Sequence, residues 1–559
     1  MATTPSLPRT DATDATARPS PVAGASLTTP AQPAVKPMVG MPSADHGDTR
    51  RAGPAGSVRT MLARYPVPRG ILLLGVLGAT LAAVGGLGAR NMLSRDPFLS
   101  DSSLSWLTYG HGKVLAHGLL YLGIGLITWA WIRLGRAARA GAVGAPAVLV
   151  TTAVWVLPLL VCPPLFSNDV YSYLAQGDLP LHGLNPYHTG VAELPSVFDD
   201  NVTPVWQHTA APYGPFFILL AEGVVKLIGY HQIAAVVMMR WVIAIPGLAL
   251  CAFALTRLAR HYGGSARIAL WLGLANPLTL IYLVGGPHND LLMAGLLGAG
   301  AVLVLQRRPL LGFLLVSLAA AIKAPAALAL PFLVWVWAAY LPGSPKARFA
   351  KACGGGVAVF VAAFAATTFA ARVDLGWLPA LTANNVVVNW MSLPTGLGQL
   401  VHLPVSIFAN VDASPFITVT RDLGMLALVA VAVRQWWLAR GGGPDAIRRA
   451  GIALFVAVLL SPTTFPWYFF WPLILCGGLA WSGTGLMVCS FLILWSMLST
   501  YPSGDAALYN WPYLLLSTAF SVLAAISLVR VDPLRLSSKR RLEDFGVPPG
   551  TEAHQSVRA

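Results

Sequence analysis

Short polar clusters interrupt a largely apolar chain, and the first surrounds one carboxylate, Asp169. This cluster reads Ser-Asn-Asp-Val-Tyr-Ser-Tyr at 167–173, and Asn-Pro-Tyr follows at 185–187. Aromatic ring faces and hydrogen-bonding side chains together bind carbohydrate, so this pattern favours a sugar site. In that site Asp169 is the candidate general base, and the candidate binding residues are Asn168, Tyr171, Tyr173 and Tyr187. The alternative is a helix cap, because Ser, Asn and Asp are preferred N-cap residues.

A second cluster, Gly-Gly-Pro-His-Asn-Asp, occupies 285–290. Capping of the following helix would explain Asn289 or Asp290, but it does not easily explain His288 as well. We therefore predict that these three side chains share a site with Asp169. Asn289 and Asp290 are expected to position sugar hydroxyls or to orient their neighbours.

Two cations lie in apolar surroundings, where a charge is costly and often marks function. Lys323 follows Ala-Ala-Ile and precedes Ala-Pro, and Arg240 lies near the start of a long apolar segment. Each cation either snorkels to a headgroup layer or holds the anionic phosphate of a lipid. In the second interpretation Lys323, with Arg240 or His288, balances the charge of a phosphate leaving group.

The last cluster is aromatic and reads Thr-Phe-Pro-Trp-Tyr-Phe-Phe-Trp at 464–471. Trp and Tyr gather at the two interfaces of a membrane, and this belt is the simplest explanation of Trp467 and Tyr468. The alternative is that both rings belong to the substrate site.

The composition excludes an ordinary soluble enzyme, since 56% of the 559 residues are hydrophobic and 11% are charged. An average soluble domain has roughly 25% charged residues. A backbone that spans a bilayer must satisfy its own hydrogen bonds, so we predict an all-α polytopic membrane protein. About fourteen spans are expected, at 70–90, 114–133, 146–166, 236–257, 268–285, 291–306, 310–323, 325–341, 352–371, 418–438, 450–463, 467–482, 485–499 and 511–530.

The basic residues indicate the orientation of the chain. They concentrate at 133–139, 257–267, 307–308, 346–351 and 434–449, whereas 167–215 has no Lys or Arg. By the positive-inside rule both termini are cytoplasmic and the polar clusters face outward. The apolar stretch 212–230 must then be a juxtamembrane or re-entrant helix. The net charge of +15 thus reflects topology, and nucleic acid is not an expected partner.

Three regions follow from this pattern. Residues 1–65 are rich in Ala, Pro, Thr and Ser and predict a disordered cytoplasmic tail. Residues 66–530 form the membrane body, with an external loop at 167–232 that carries juxtamembrane helices. Residues 531–559 predict a basic cytoplasmic tail beside anionic lipid.

The donor must be presented outside the cell if the chain is a transferase. The sequence has no P-loop, no His-Glu-x-x-His and no Gly-x-Ser-x-Gly motif. Nucleotide sugars do not occur outside the cytoplasm, so a lipid-linked sugar donor is predicted.

The segment 166–177, together with Pro-His-Asn-Asp at 287–290 and Pro-Trp-Tyr at 466–468, resembles the MptA/MptB α-(1→6)-mannopyranosyltransferases of actinobacteria, with MptB the closer match. The resemblance covers about 70–530. It implies a GT-C fold in the plasma membrane, a polyprenyl-phosphate-mannose donor and a lipid-anchored mannoside acceptor of lipomannan. It also implies an inverting transfer in which Asp169 is the loop carboxylate. Asn168-Asp169-Val170 carries a single carboxylate instead of an Asp-x-Asp or Asp-Glu pair, which puts a divalent metal in doubt.

Two other functions remain open from the sequence. A lipid-linked-sugar flippase or transporter needs similar basic and aromatic groups, although inverted repeats and interrupted helices at the midplane would then be expected. An arabinosyl- or protein-mannosyltransferase would share the fold and use another sugar or acceptor.

Overall fold

The protein is built from helices. The computed structural model describes residues 67–90, 93, 96–99, 102–381 and 387–534. Within these ranges the one β-type pairing is an isolated antiparallel bridge between Thr500 and Ala506. The predicted tail at 1–65 and most of the tail at 531–559 lie outside the described residues.

The α-helices follow the apolar segments of the sequence, and a π-helical segment, Thr279–Gly285, precedes α9. Their bounds are α1 Arg69–Ala89, α2 Gly110–Arg139, α3 Ala145–Val156, α4 Asp169–Asp178, α5 Pro204–Gln207, α6 Pro215–Ile228, α7 Gln232–His261, α8 Ala266–Gly273, α9 Asp290–Leu305, α10 Pro309–Ala320, α11 Leu330–Ala338, α12 Pro345–Ala370, α13 Trp377–Ala380, α14 Leu393–Phe408, α15 Ser414–Leu438, α16 Gly443–Leu460, α17 Phe470–Cys476, α18 Gly483–Leu498 and α19 Trp511–Ser527.

The all-α membrane class is confirmed, but the count of fourteen spans is not. Among the described residues, five helices are long and apolar enough to cross a bilayer: α1, α2, α7, α12 and Ser414–Gly441. A sixth span is formed if the π-helical segment and α9 are taken together, although they bend by 107°. Other predicted spans are shorter helices such as the 12-residue α10. At 1.5 Å per residue α10 is about 18 Å long, against about 30 Å of hydrocarbon.

The ambiguous stretch at 212–230 forms α6, which has 14 residues. Its start is bonded to the segment before Lys323, because the Gly214 amide donates to the Ile322 carbonyl at 3.2 Å and the Phe216 amide donates to the Ala321 carbonyl at 3.0 Å. A Cβ at Gly214 would lie 2.4 Å from the Ala321 oxygen, so the close approach requires glycine. This junction places Tyr213 beside the lysine.

Basic side chains gather where α2 and α19 end. Arg136 Nε donates to the Ser527 carbonyl at 2.6 Å, Arg139 Nη1 to the Leu528 carbonyl at 2.8 Å, and Arg267 Nε to the Ala138 carbonyl at 2.7 Å. Cations at helix C-termini satisfy carbonyls that have no partner within the helix. These basic residues lie far from the start of α2: Arg136 follows Lys113 by 23 residues, which is roughly 35 Å along the helix at 1.5 Å per residue.

Candidate active site

A strained turn presents the first polar cluster. Phe166 has φ of 59°, a left-handed conformation that costs a non-glycine residue of order 1–3 kcal/mol. Its ring is buried and packs against Tyr282 at 5.0 Å, which holds the turn. Helix α4 begins directly afterwards at Asp169, whose amide donates to Ser167 Oγ at 3.1 Å.

A sharp bend presents the second cluster. The π-helical segment and α9 meet at 107°, and His288, Asn289 and Asp290 lie at this corner with no solvent exposure. The Leu165 amide donates to the Gly285 carbonyl at 3.2 Å, so the corner and the Phe166 turn are joined. Neither cluster acts as a helix cap, since the side chains of Asn168 and Asn289 make no capping hydrogen bond.

Asp290 and Lys323 form a buried ion pair. Lys323 Nζ lies 3.0 Å from Asp290 Oδ1 and 2.9 Å from Oδ2. The Trp471 indole donates to Asp290 Oδ1 at 2.5 Å. The ammonium also lies 4.6 Å from the centre of the Tyr468 ring and 5.6 Å from that of Trp471, both cation–π distances. Lys323 is therefore held inside the protein, and the snorkelling interpretation is wrong.

Asp169 and His288 form a second pair of contacting side chains. His288 Nδ1 lies 3.4 Å from Asp169 Oδ2, and the imidazole stacks on Trp467 with ring centres 3.8 Å apart. The imidazole is fully buried, whereas a quarter of the Asp169 side chain is exposed. The histidine thus contacts the carboxylate from the protein side and leaves it open on the other.

The pKa of Asp169 is lowered below the ordinary value of an aspartate. Burial is the largest single cause and would raise this pKa, but the lowering influences of His288, Lys323 and Ser167 together outweigh it, with His288 first among them. Asp169 is therefore ionised near neutral pH, as a general base must be.

A cavity of about 620 Å³ opens in front of these pairs. Its polar part is lined by Asn168, Asp169, Ser172, Gln176, Lys323 and Tyr468. Its apolar part is lined by Leu328, Leu381, Val387, Leu428 and Ala457. The cavity thus combines a hydrogen-bonding region of sugar size with an apolar region.

Five of the predicted site residues line this cavity: Asn168, Asp169, Lys323, Trp467 and Tyr468. His288 and Asp290 lie one contact behind, through Asp169 and Lys323. Both oxygens of Asp290 contact Lys323, which fits the second of its two predicted roles, the orientation of a neighbour. Asn289 is buried, and neither polar atom of its side chain has a hydrogen-bond partner among the described residues.

The other predicted residues lie apart from the cavity. Arg240 is fully buried and donates to the carbonyls of Val284 and Gly285 at 3.1 Å each. It therefore supports the π-helical segment, where a charged donor satisfies carbonyls at the bend. The guanidinium does not face a lipid phosphate.

Two predicted tyrosines support the site from behind. The Tyr187 hydroxyl donates to the Tyr213 carbonyl at 3.0 Å, and Tyr173 packs edge-on against Tyr213 with ring centres 5.2 Å apart. These contacts fix the Tyr213 wall of the cavity. The third predicted tyrosine, Tyr171, is fully buried and does not line the cavity.

Sequence reasoning missed several cavity residues. Trp206, Tyr213, Trp471 and Asp505 all line the cavity. Trp471 follows Trp467 by four residues, a spacing that puts both on one side of a helical turn and could have identified it. Trp206, in the four-residue helix α5, and Asp505, in a loop, carry no such signal, because each is an isolated side chain. Among the described residues no group of three or more His, Cys, Asp or Glu could hold a metal ion.

The chain matches two sequence models of one protein family. The first, alpha-(1->6)-mannopyranosyltransferase, N-terminal domain, covers residues 72–339, and the MptB C-terminal domain covers 394–530. The alpha-(1->6)-mannopyranosyltransferase A of Mycobacterium tuberculosis is 39% identical over 461 residues, which are 82% of this chain and 89% of that protein. The chain belongs to the α-(1→6)-mannopyranosyltransferase family. The family predicted from the motifs is confirmed.

More distant members extend this likeness. The Corynebacterium glutamicum alpha-(1->6)-mannopyranosyltransferases A and B are 31% and 26% identical, over 69% and 72% of this chain and 83% and 71% of their own. A solved Archaeoglobus fulgidus oligosaccharyltransferase aligns at TM-score 0.32 and 15% identity, over 72% of this chain and 57% of that one, a likeness too weak to carry an argument.

Proposed function

We propose that the protein transfers mannose from polyprenyl-phosphate-mannose to a lipid-anchored mannoside on the extracytoplasmic face, forming the α-(1→6) linkages of a lipomannan backbone. The proposal rests on one observation: an ionised Asp169 and a lysine, Lys323, line the same cavity. A base for a hydroxyl and a cation for a phosphate are the two groups that this reaction needs. Family membership supports the choice of mannose.

The transfer is a single displacement with inversion. The acceptor's primary hydroxyl oxygen bonds to the anomeric carbon as the bond from that carbon to the phosphate oxygen breaks. Asp169 takes the hydroxyl proton, and polyprenyl phosphate leaves with the bonding electrons. A phosphate is a good leaving group, so no general acid is required.

Lys323 stabilises the charge of the leaving phosphate. An ammonium has three donors, and two contacts of this ammonium go to Asp290. One donor and the positive field remain for a phosphate oxygen. Asp290 and the rings of Tyr468 and Trp471 hold the ammonium in place before the substrate binds, which lowers the cost of reorganisation.

The apolar part of the cavity suits the polyprenyl tail. Leu428 lies on α15, where the neighbouring Leu426 and Val429 are 68% and 54% exposed. Such an exposed apolar surface on a membrane helix faces lipid. A tail that leaves the cavity beside Leu428 would therefore reach the bilayer directly.

The test is a transfer assay with the purified full-length protein in lipid nanodiscs. Radiolabelled polyprenyl-phosphate-mannose and a short α-mannoside should give a mannoside extended by one residue through an α-(1→6) linkage. Movement of labelled donor across a vesicle membrane without extended product would contradict transfer and identify a flippase. Use of a polyprenyl-phosphate-arabinose donor in place of mannose would identify the other alternative.

A further inference from the structure

A second, cationic cavity of about 460 Å³ lies where α1, α2 and α19 meet. It is formed by the end of α1, the first turns of α2 and the loop before α19. Its main walls are Arg90, Lys113, His117, Tyr121, Tyr501 and Tyr513. The transfer mechanism uses none of these side chains.

The cations of this cavity keep unused donors. The Arg90 side chain is 5% exposed and pairs with Asp96 through Nη2 at 2.5 Å, whereas its buried Nη1 has no hydrogen-bond partner among the described residues. Lys113 forms no ion pair with any described residue. His117 Nδ1 lies 2.8 Å from the Lys113 carbonyl, which can only accept, so Nε2 is left for other partners.

Tyrosine hydroxyls complete the polar lining. The hydroxyls of Tyr121 and Tyr513 lie 3.2 Å apart, and the rings of Tyr501 and Tyr513 pack at 5.0 Å. Hydroxyl donors beside guanidinium and ammonium groups form a site for a tetrahedral oxyanion, because every phosphate oxygen is an acceptor. An uncharged sugar would leave Lys113 without an anionic partner.

Exposed aromatic and apolar side chains surround this cavity. Trp106, Tyr109, Tyr509 and Trp511 are 42%, 64%, 87% and 64% exposed, and Val114, next to Lys113, is 70% exposed. Large exposed Trp and Tyr residues at helix ends are typical of the headgroup layer of a bilayer. The rim therefore places the cavity where lipid phosphates lie.

We propose that this second cavity binds the phosphate of an anionic phospholipid headgroup. It would be a lipid site separate from the donor cavity, and it does not depend on the transfer reaction. One turn joins the two cavities, since Ser503 lines both and its hydroxyl donates to Asp505 Oδ2 at 2.8 Å. Asp505 in turn lines the large cavity, so a bound lipid would contact the wall of the donor site.

Binding to the full-length protein in neutral detergent tests this assignment. The probes are dioctanoyl phosphatidylglycerol, dioctanoyl phosphatidylcholine and inorganic phosphate, and the readout is a dissociation constant. A hydrogen bond to a charged group contributes about 1.5–3 kcal/mol, so Lys113→Gln should weaken phosphatidylglycerol binding by about 10-fold or more. Lys113→Arg should recover most of that affinity.

Lys226→Gln is the matched control, because it removes one positive charge from an exposed position of α6 outside the cavity. It should leave phosphatidylglycerol binding unchanged. Equal affinity for the two phospholipids, or an equal loss in Lys113→Gln and Lys226→Gln, would overturn the proposal. Inorganic phosphate that binds as tightly as phosphatidylglycerol would show a free-anion site and also exclude a lipid site.

Discussion

The N-terminal and C-terminal parts of the chain contribute different chemistry to the large cavity. The part that matches the first family model, 72–339, supplies Asp169, His288 and the ion pair of Asp290 with Lys323. The part that matches the second, 394–530, supplies aromatic side chains, of which Trp467, Tyr468 and Trp471 line the cavity. The charged groups are thus held by one part and oriented by contacts from the other.

The two parts also differ in burial. The residues at the start of α9, Asp290 to Leu291, have no exposed surface, whereas α15 exposes Leu426 and Val429. A charge is stable at membrane depth only where protein surrounds it and pairs it. The start of α9 thus keeps its charge inside the protein, whereas this face of α15 is open.

The largest effect on this comparison is expected from Asp169→Asn. A general base contributes about 10²–10⁴-fold to the rate, and the amide keeps the shape of the side chain without the base. Mannosyl transfer in nanodiscs should fall by about that factor while expression and thermal unfolding stay near wild type.

Asp505→Asn is the control for Asp169→Asn, because Asp505 lines the same cavity but comes from the C-terminal part. It should transfer within a few-fold of wild type. A large loss in Asp505→Asn with a small loss in Asp169→Asn would move the base to the C-terminal part and reverse the comparison.

Variants of the Asp290–Lys323 ion pair distinguish an effect on transfer from an effect on stability. Lys323→Ala leaves Asp290 buried without its partner, which should cost about 3–5 kcal/mol of stability. Lys323→Met combined with Asp290→Leu replaces the pair by apolar groups, and such a replacement is often close to neutral. The double variant should unfold near the wild-type temperature and still lack transfer activity.

Lys323→Arg keeps the charge and should retain part of the donor-dependent rate. Transfer by the double variant at the wild-type rate would show that Lys323 has no role at the phosphate. The measurements are thermal unfolding in detergent and the rate as a function of donor concentration.

A smaller effect is expected from Trp467→Leu. This change removes the ring that stacks on His288, an interaction worth about 0.5–1.5 kcal/mol. The kcat/KM for transfer should fall by about 2- to 12-fold because His288 is less well held. Trp437→Leu, at a ring that is 56% exposed on α15, should leave kcat/KM unchanged, and equal losses would assign the Trp467 effect to general packing.

The smallest effect is a shift in pH dependence. Activity needs ionised Asp169 and is lost as the pH falls through its pKa, which lies below the ordinary aspartate value. His288 is the main influence that lowers this pKa, so its removal should raise the pKa and move the acid limb of the rate profile to higher pH. Between about pH 8 and about pH 4 the wild-type rate should stay level, because the pKa of Asp169 lies below this range, whereas the rate of His288→Gln should fall towards the acid end. A level profile for both proteins would contradict this.

Sequence alone predicted the helical membrane class and the polar segments that form the site. Hydropathy identifies apolar helices reliably, because each lipid-exposed residue contributes independently. The predicted number of spans is not confirmed, since α10 and α11 are apolar but short. Whether a short apolar helix crosses the bilayer depends on its neighbours, which a window of sequence does not contain.

The pairing of side chains was not predictable from the sequence. Lys323 and Asp290 are 33 residues apart, and Trp471 and Asp290 are 181 apart. From the sequence, Arg240 and Lys323 are equivalent cations in apolar segments, yet Arg240 donates to carbonyls of the π-helical segment and Lys323 lines the cavity.

The sequence by itself determined which residue types are available: Asp169 in a loop without Lys or Arg, a histidine shortly before an aspartate, and a lysine between apolar residues. The tertiary structure decided their roles. The bend of 107° before α9 turns His288 towards Asp169 and Asp290 towards Lys323. Gly285, Gly286 and Pro287 allow the helix to break here, but the direction of the bend depends on packing against other helices and on the support of Arg240, which are long-range interactions.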